Sequence, residues 1–281
     1  MDREKFSFDD PSLVDAVTLE HREAVDTLSF VNGLWRVNNT YKADPQRISV
    51  LFAILKQARV RRRAALSQID SLSAWMDENS VRATFYEGNE PVITYEVAGN
   101  ISNGLTYYRE ASGEPIYLME IPGYRSYLAG IYELDEFGWR YPRVFDFNWS
   151  TLKDVEVDYP SEDARGFRVS FEDNFFQVEE LPETDTTRIA DFLDDLSLLY
   201  VNDYLFQEEV EQYDSLSDDL TARITVRDVG DNAYLMEVLE ALPGETEILV
   251  RLDSSDYALA DFEALRKILR PRRYFVKKDA P

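Results

Sequence analysis

Residues 28–55 read LSFVNGLWRVNNTYKADPQRISVLFAIL, and this stretch contains the clearest local signals of secondary structure in the chain. It starts with two short apolar runs, 28–31 and 34–38, on either side of Asn32-Gly33. That pair is favoured in tight hairpin turns because both residues tolerate a positive φ. Asp44-Pro45 then marks the start of a helix, since Asp caps free amide groups and Pro suits the first helical position. The apolar residues that follow at helical spacing are Ile48, Leu51, Phe52 and Leu55.

The same pattern returns in the second half of the chain. Phe6-Ser7-Phe8 recurs as Phe145-Asp146-Phe147, and Trp35-Arg36-Val37 recurs as Phe176-Gln177-Val178. From residue 28 onward the matches keep one register, which also pairs Arg47-Ile48 with Arg188-Ile189, Arg82 with Arg223 and Glu96 with Glu237. A repeat this long is domain-sized rather than a solenoid repeat. The sequence therefore predicts two tandem copies of one α+β unit, at residues 1–143 and 144–281.

Within each copy the order of elements predicts antiparallel strands packed with helices. Strands come in groups before helices, which favours an α+β fold over a doubly wound parallel sheet. The second copy replaces the hairpin turn with Asp173-Asn174 and caps its helix with Asp185 or Thr186. The other predicted elements are a short helix at 66–76 with a counterpart near 205–213, hairpins at 81–97 and 105–120, a closing helix from Pro122 with a counterpart at 259–269, and an edge strand at 272–276.

Composition excludes several classes of function. The formal net charge is −24, most of it in the second half, and such a surface repels nucleic acid and anionic lipid. The chain has no Cys, so disulfides, thiolate nucleophiles and Cys-ligated zinc are excluded. No glycine-rich phosphate loop occurs, and neither a cofactor nor a metal is predicted. No apolar run is long enough to span a bilayer, so membrane contact would need an anchor outside this chain.

Several motifs resemble the family known as domain of unknown function 4340. They are the opening segment 2–10, Gly33-Leu34-Trp35-Arg36-Val37 with the following 39–44, the stretches 81–88 and 117–124, Trp139-Arg140 and Phe145-Asp146-Phe147. The resemblance covers residues 2–180 best and is structural rather than catalytic. It implies an extracytoplasmic protein held by an N-terminal membrane anchor. It also implies protein partners, among them components of gliding-type ABC transporters.

Aromatic residues concentrate where the first copy ends and the second begins. The candidate binding residues there are Tyr124, Tyr127, Trp139, Tyr141 and Trp149. Aromatic side chains at a domain junction usually bury against each other, which predicts a rigid pair of units. Left exposed, they would form a platform for a sugar or a peptide.

Charged residues offer a second candidate. An acidic docking face for a basic partner is predicted at Asp191, Asp194, Asp195, Glu208, Glu209 and Glu211. These carboxylates lack the spacing of an EF-hand calcium loop, and a solvated helix face explains them equally well. Four basic residues, Arg59, Arg61, Arg62 and Arg63, are expected to end the first long helix, where they would complement its dipole. The single histidine, His21, is expected to be a solvent-exposed turn residue.

No catalytic residue is predicted from these patterns. The sequence favours a non-enzymatic, envelope-facing accessory or scaffold protein, a subunit of a transporter or gliding-type assembly. Two alternatives stay open. One is a glycan- or peptide-binding module that uses the junction aromatics or a hairpin groove. The other is a carboxylate-based hydrolase, which needs two carboxyl groups with different environments in one cleft.

Overall fold

The computed structural model describes residues 2–124, 127–172, 175–181, 183–211, 213, 220–239, 244 and 246–277. The chain folds as two compact units, Met1–Tyr141 and Pro142–Pro281, called here the first and the second unit. The boundary expected from the repeat lies two residues further along the chain. Each unit is a mixed α/β structure built on one antiparallel sheet.

The first unit contains a nine-stranded sheet. Its strands are β1 (Ala16–Glu20), β2 (Val25–Val31), β3 (Leu34–Val37), β4 (Tyr41–Lys42), β5 (Arg59–Arg63), β6 (Val81–Glu87), β7 (Glu90–Asn100), β8 (Leu105–Glu110) and β9 (Gly113–Glu120). They lie in the order β4-β3-β2-β1-β6-β7-β8-β9-β5, and all neighbours are antiparallel. The helices are α1 (Pro45–Gln57), α2 (Ile69–Asn79) and α3 (Glu136–Trp139).

Local chemistry accounts for the predicted hairpin and helix. Asn32 and Gly33 have φ of 53° and 82°, so the β2–β3 turn is confirmed. At the start of α1 the Asp44 side chain accepts a hydrogen bond from the amide of Gln46 at 2.8 Å, and Pro45 is the first helical residue. The residues of α1 that bury against the sheet are Ile48, Leu51, Ile54 and Leu55.

The second unit contains an eight-stranded sheet. Its strands are β10 (Leu152–Asp158), β11 (Phe167–Glu172), β12 (Phe175–Val178), β13 (Val201–Leu205), β14 (Leu220–Asp228), β15 (Ala233–Leu239), β16 (Glu247–Leu252) and β17 (Asp256–Asp261). Their order is β12-β11-β10-β14-β15-β16-β17-β13. The helices are α4 (Thr186–Ser197), α5 (Gln207–Val210) and α6 (Phe262–Ile268). Apart from β4, each strand of the first sheet has a strand at the same place in the second sheet.

Each unit has its own core between one face of the sheet and its long helix. In the first unit this core includes Val17, Leu28, Leu51 and Tyr95, and in the second it includes Val155, Val169, Phe192 and Ile224. The first unit has a second, smaller core, where Met76 of α2 packs on Ala98 and Ile116 on the other face of the sheet. The long helices are therefore positioned by burial of their apolar stripes.

Three predictions about secondary structure are wrong. Helix α1 ends at Gln57, and Arg59–Arg63 is the edge strand β5, paired with β9. No helix begins at Pro122, because Ile121 and Tyr124 close a turn by a β-bridge. The stretch expected as an edge strand is a 3-10 helix at Arg272–Phe275, which places Phe275 in the core.

Other predictions hold only in part. The helix expected at 66–76 is α2, preceded by a 3-10 turn at Leu66–Gln68. Its counterpart near 205–213 is reduced to the short α5, and the helix expected at 259–269 begins only at Phe262, after β17. The turn predicted at Asp173-Asn174 lies outside the described residues. Within the described ranges, no helix combines the length and the apolar character that crossing a membrane requires.

Candidate functional site

The structure divides the predicted junction aromatics among different surroundings. Trp139 is fully buried in the core of the first unit. Tyr141 stacks under the ammonium group of Lys42, whose Nζ lies 4.4 Å from the ring centroid. Tyr124 is 74% exposed and Tyr127 is half-buried. Trp149 belongs to the second unit and is 46% exposed.

Tyr124 and Tyr127 line one depression of about 600 Å³ in the first unit. Its other walls include Arg61 of β5 and Glu120 of β9, whose Nε and Oε2 atoms are 3.7 Å apart. The Tyr127 hydroxyl donates a hydrogen bond to Glu133. Burial, followed by this hydrogen bond and the negative charge of Glu133, raises the pKa of Tyr127. The depression is polar, and its charged groups already pair with each other.

Trp149 lines a different site, an apolar cleft of about 310 Å³ in the second unit. We call it the aromatic cleft. Its lining residues are Trp149, Phe171, Phe175, Phe176, Thr186, Ile189 and Ala190. They come from the loop before β10, from the β11–β12 hairpin and from the first half of α4. The cleft therefore combines one predicted aromatic residue with a hairpin groove.

Strand alternation explains why the cleft forms at this place. On β11 the alternate residues Phe167 and Val169 are buried in the core, and the next residue on that face, Phe171, is 52% exposed. The hairpin thus continues the apolar face of the sheet beyond the part that α4 covers. Phe171 pairs with Phe176 across the strands, and their ring centroids are 5.1 Å apart. The ring centroid of Trp149 lies 5.5 Å from that of Phe176.

The corresponding hairpin of the first unit is filled differently. There Trp35 stands where the repeat register places Phe176, and its ring centroid lies 5.2 Å from that of Phe52 on α1. Phe30, in register with Phe171, lies 5.6 Å from Trp35. The larger indole ring therefore reaches the helix in the first unit. In the second unit the smaller Phe176 faces the cleft beside Ala190.

The predicted acidic residues lie on two helices and one helix end. Asp191, Asp194 and Asp195 are on α4, Glu208 and Glu209 are on α5, and Glu211 follows α5. Asp195 pairs with Lys267 of α6 at 3.8 Å, and Glu209 accepts a hydrogen bond from the amide of Phe206 at the start of α5. Asp191 and Asp194 are exposed, and among the described residues neither has an ion-pair partner.

A polar cluster that the sequence did not reveal lies in the first unit. The side-chain amide of Asn38 donates to Asp26 Oδ1 at 2.9 Å and to Glu136 Oε2 at 2.8 Å. His21 Nε2 lies 3.6 Å from Asp26 Oδ2, and only 21% of its side chain is exposed. The prediction of a solvent-exposed His21 is therefore wrong, because the residue folds back onto the buried Asp26. The Asn38 side-chain amide bonds to both carboxylates and so attaches the end of β3 to α3.

A second unpredicted feature is repeated in both sheets. Arg82, Glu96 and Arg109 form a row across β6, β7 and β8, and Arg223, Glu237 and Arg251 form a row across β14, β15 and β16. Both central glutamates are buried. Burial raises the pKa of Glu237, but the hydrogen bonds from Arg223 and Arg251 outweigh it and hold the pKa below its usual value. In the sequence, the internal repeat matches Arg82 with Arg223 and Glu96 with Glu237. These matches are the signal that could have revealed the two rows.

Metal binding has no site in the described parts of the chain, where no group of three or more His, Asp or Glu side chains is arranged to hold an ion. Comparison with protein-family models, with curated proteins and with solved structures finds no match to this chain. The site must therefore be interpreted from its own chemistry.

Proposed function

We propose that this chain is a non-enzymatic binding protein that docks a protein partner through the aromatic cleft. The supporting observation is the exposure of three large aromatic side chains around one concave site. Phe175, Phe171 and Trp149 are 69%, 52% and 46% exposed. Exposed apolar surface that gathers around a cleft is typical of a binding site, whereas scattered apolar residues are not.

The area of these side chains sets the scale of the interaction. Aromatic side chains bury roughly 150–250 Å² each when fully covered, and about half of each of these three is exposed. Covering the exposed part of all three would therefore remove on the order of 300 Å² from water. At about 25 cal/mol per Å² this contributes about 8 kcal/mol before the costs of association. Those costs are about 4–15 kcal/mol, so the cleft alone supports at most a modest affinity. A partner that also contacts the surrounding surface would bind more tightly.

The lining favours a peptide side chain over a sugar. Thr186 is the single polar side chain among the seven lining residues. A sugar buried here would leave most of its hydroxyl groups without hydrogen-bond partners, which is costly. None of these seven described lining residues carries a carboxylate either, so they do not support the carboxylate-based hydrolase. An apolar side chain of a protein segment satisfies this lining without further polar groups.

The proposal includes the tandem origin of the two units. Three features favour two copies of one ancestral unit: the shared strand order, the capped long helix at the same place in each unit and the Arg-Glu-Arg rows. Both copies expose apolar residues at the corresponding hairpin, Phe30 and Leu34 in the first unit and Phe171 and Phe175 in the second. Duplication followed by divergence would yield one hairpin closed on its helix and one with a cleft.

The resemblance to domain of unknown function 4340 stays a prediction and supplies the proposed setting. It supports an accessory or scaffold role at the cell envelope, with attachment through a membrane anchor. Transporter or gliding-type components are the partners that this resemblance favours. The location and the partner class are proposed on that basis alone.

Site-specific photocrosslinking in the native cell tests the docking proposal. Phe175 is replaced by p-benzoylphenylalanine, with Val229 as the control position because it is also apolar and 65% exposed in the same unit. We expect light-dependent adducts with a defined protein from position 175 and none from position 229. Mass spectrometry of the adduct then shows whether the partner belongs to an envelope assembly. Identical adducts from both positions, or none from 175, would contradict docking at the cleft.

A further inference from the structure

The first unit shows which side chain lies between the hairpin and the long helix when the chain itself supplies it. The Trp35 indole of β3 lies against Phe52 of α1, with ring centroids 5.2 Å apart and ring planes inclined by 60°. Phe30 of the neighbouring strand β2 lies 5.6 Å from the same indole. One indole therefore connects a ring of the hairpin with a ring of the helix.

The second unit has smaller side chains at both ends of this contact. In the repeat register Phe176 takes the place of Trp35. Leu193 takes the place of Phe52, and it follows Ala190 of the aromatic cleft on the same face of α4. An indole is thus replaced by a phenyl ring, and a phenyl ring by an aliphatic side chain. Because protein interiors pack densely, this loss of side-chain volume leaves space between the hairpin and the helix.

The walls of the cleft suit an aromatic occupant better than an aliphatic one. The ring plane of Phe176 is inclined by 72° to that of Trp149 and by 58° to that of Phe171. The corresponding angles around the Trp35 indole of the first unit are 45° and 60°. Tilted and edge-to-face ring pairs contribute beyond the area that they bury. An incoming aromatic ring extends this array, whereas an aliphatic side chain does not.

One polar group distinguishes an indole from a phenyl ring at this site. A buried indole N–H needs a hydrogen-bond acceptor. Thr186, the first residue of α4, has the single polar side chain of the lining, and its hydroxyl oxygen can accept that hydrogen bond. In the first unit the repeat register places Pro45 at this position. The acceptor is therefore a property of the unit that has the cleft.

We propose that the aromatic cleft recognises a segment of a partner protein through one tryptophan side chain. The indole enters the space between the β11–β12 hairpin and α4, where it takes the part that the Trp35 indole has in the first unit. Its ring packs against Phe171, Phe176 and Trp149, and its N–H donates a hydrogen bond to Thr186. This rests on the proposed docking function and adds the side chain by which the partner is recognised.

A random peptide library displayed on phage, selected on the full-length protein, tests this assignment. Enriched sequences are synthesised, and their dissociation constants are measured by titration calorimetry. We expect the enriched peptides to share one Trp. Replacing that Trp by Leu should weaken binding about tenfold or more, as the loss of an aromatic interface anchor does. This comparison changes only the peptide, so it does not depend on the folding of any variant protein.

Two variants of the protein fill the cleft from within. Phe176→Trp introduces the side chain that the first unit has at this position, and Ala190→Leu adds volume from α4. We expect each to weaken peptide binding about tenfold or more, because the indole of the peptide loses its place. Phe206→Trp is the matched control, since Phe206 is 46% exposed and follows β13, at the opposite edge of the sheet from β12. It should leave binding unchanged.

The variant Thr186→Val tests the hydrogen bond to the indole N–H. We expect it to weaken binding of the tryptophan peptide roughly two- to tenfold, the effect of one hydrogen bond. The control is the same peptide with naphthylalanine in place of Trp, because its fused rings have no N–H. Its binding should not change, and an equal loss for both peptides would overturn the contact with Thr186.

The possible outcomes separate the two proposals. Enriched peptides that lack Trp, and whose binding the filling variants still weaken, would overturn the tryptophan ligand and leave docking at the cleft intact. No enrichment, or unchanged binding to both Phe176→Trp and Ala190→Leu, would overturn both proposals. A dimer in sedimentation that Phe176→Trp dissociates would mean that a second copy of the chain occupies the cleft, and would also overturn the tryptophan ligand.

Discussion

At the scale of single residues, the most unusual group is a cluster of three buried tyrosines in the first unit. The Tyr132 hydroxyl lies 3.0 Å from that of Tyr95 and accepts a hydrogen bond from that of Tyr108 at 3.1 Å. All three rings are almost completely buried. Burial raises the pKa of Tyr95 and Tyr108, and it raises the pKa of Tyr132 to about 12. The folded first unit therefore requires three neutral hydroxyl groups.

This requirement predicts a loss of stability in alkali. Below pH about 10 the tyrosines are neutral in both the folded and the unfolded chain, so the free energy of unfolding does not depend on them. Above that pH the unfolded chain loses protons that the folded chain keeps, and stability falls by up to about 1.4 kcal/mol per pH unit for each tyrosine. Urea unfolding between pH 7 and pH 11, in roughly unit steps, with tyrosinate absorbance as a second signal, measures this.

The variant Tyr132→Phe tests the cluster directly. It leaves the hydroxyl groups of Tyr95 and Tyr108 buried without their shared partner, so we expect a loss of about 1–3 kcal/mol at neutral pH. Tyr124→Phe is the matched control, because Tyr124 is 74% exposed, and it should change stability by less than about 0.5 kcal/mol. Equal effects of the two substitutions would contradict the cluster.

At the scale of elements, ion pairs join neighbouring strands on the face of each sheet that lies opposite the core with the long helix. In the second unit Glu237 of β15 forms ion pairs with Arg223 of β14, at 2.8 Å, and with Arg251 of β16. Side chains directly opposite in antiparallel strands interact most strongly, so one glutamate holds three strands in register. In the first unit the equivalent Arg109 is also bound by Asp77 of α2 at 2.7 Å, which adds a helix to the row.

The variant Glu237→Gln should destabilise the second unit by about 1–3 kcal/mol at neutral pH, because two arginines lose a charged acceptor. The pKa of Glu237 is lowered in the fold, so its stabilisation is fully present above the ordinary glutamate value of about 4.3. It is lost as pH falls through the lower folded value. The difference between wild type and variant should therefore shrink below about pH 4.

Chemical unfolding between neutral and acidic pH measures this difference. Glu162→Gln serves as the control, since Glu162 is 60% exposed and its pair with Arg165 should contribute less than about 1 kcal/mol. A difference that stayed constant across the acid range would show that the charge on Glu237 is not responsible.

At the scale of the whole molecule, the two cores are separate. The buried cluster of the first unit runs from Phe6 to Trp139, and that of the second runs from Phe145 to Phe275. Each is large enough to support a domain of about 140 residues, within the usual size range. Independent cores predict that each unit is a folding unit.

Expression of residues 1–141 and 142–281 as separate proteins tests this. We expect both to unfold cooperatively, with the alkaline transition confined to the first fragment and the dependence on Glu237 confined to the second. Thermal and urea unfolding, followed by circular dichroism, would measure these transitions. A fragment that remains unfolded at neutral pH would show that its core needs the other half of the chain.

Sequence reasoning succeeded where structure depends on local chemistry. The Asn32-Gly33 turn, the Asp44 and Asp185 caps and the apolar stripes of α1 and α4 all depend on residues within a few positions of each other. Backbone conformation and short-range hydrogen bonds determine such features, so their signals survive in the sequence alone. The antiparallel α+β class followed from the order of these local elements.

Contacts between segments that are distant in sequence became visible only in the folded structure. Arg59–Arg63 continues the basic end of a helix in sequence, but a free edge on β9 makes it a strand. Trp139 and Trp149 look alike in sequence, yet one is enclosed in a core and the other lines a cleft. The cleft exists because the β11–β12 hairpin extends beyond the part of the sheet that α4 covers. No residue type in the sequence indicates this difference in length. Burial depends on the packing of whole elements, and therefore the site, unlike its turns and caps, could not be located from sequence.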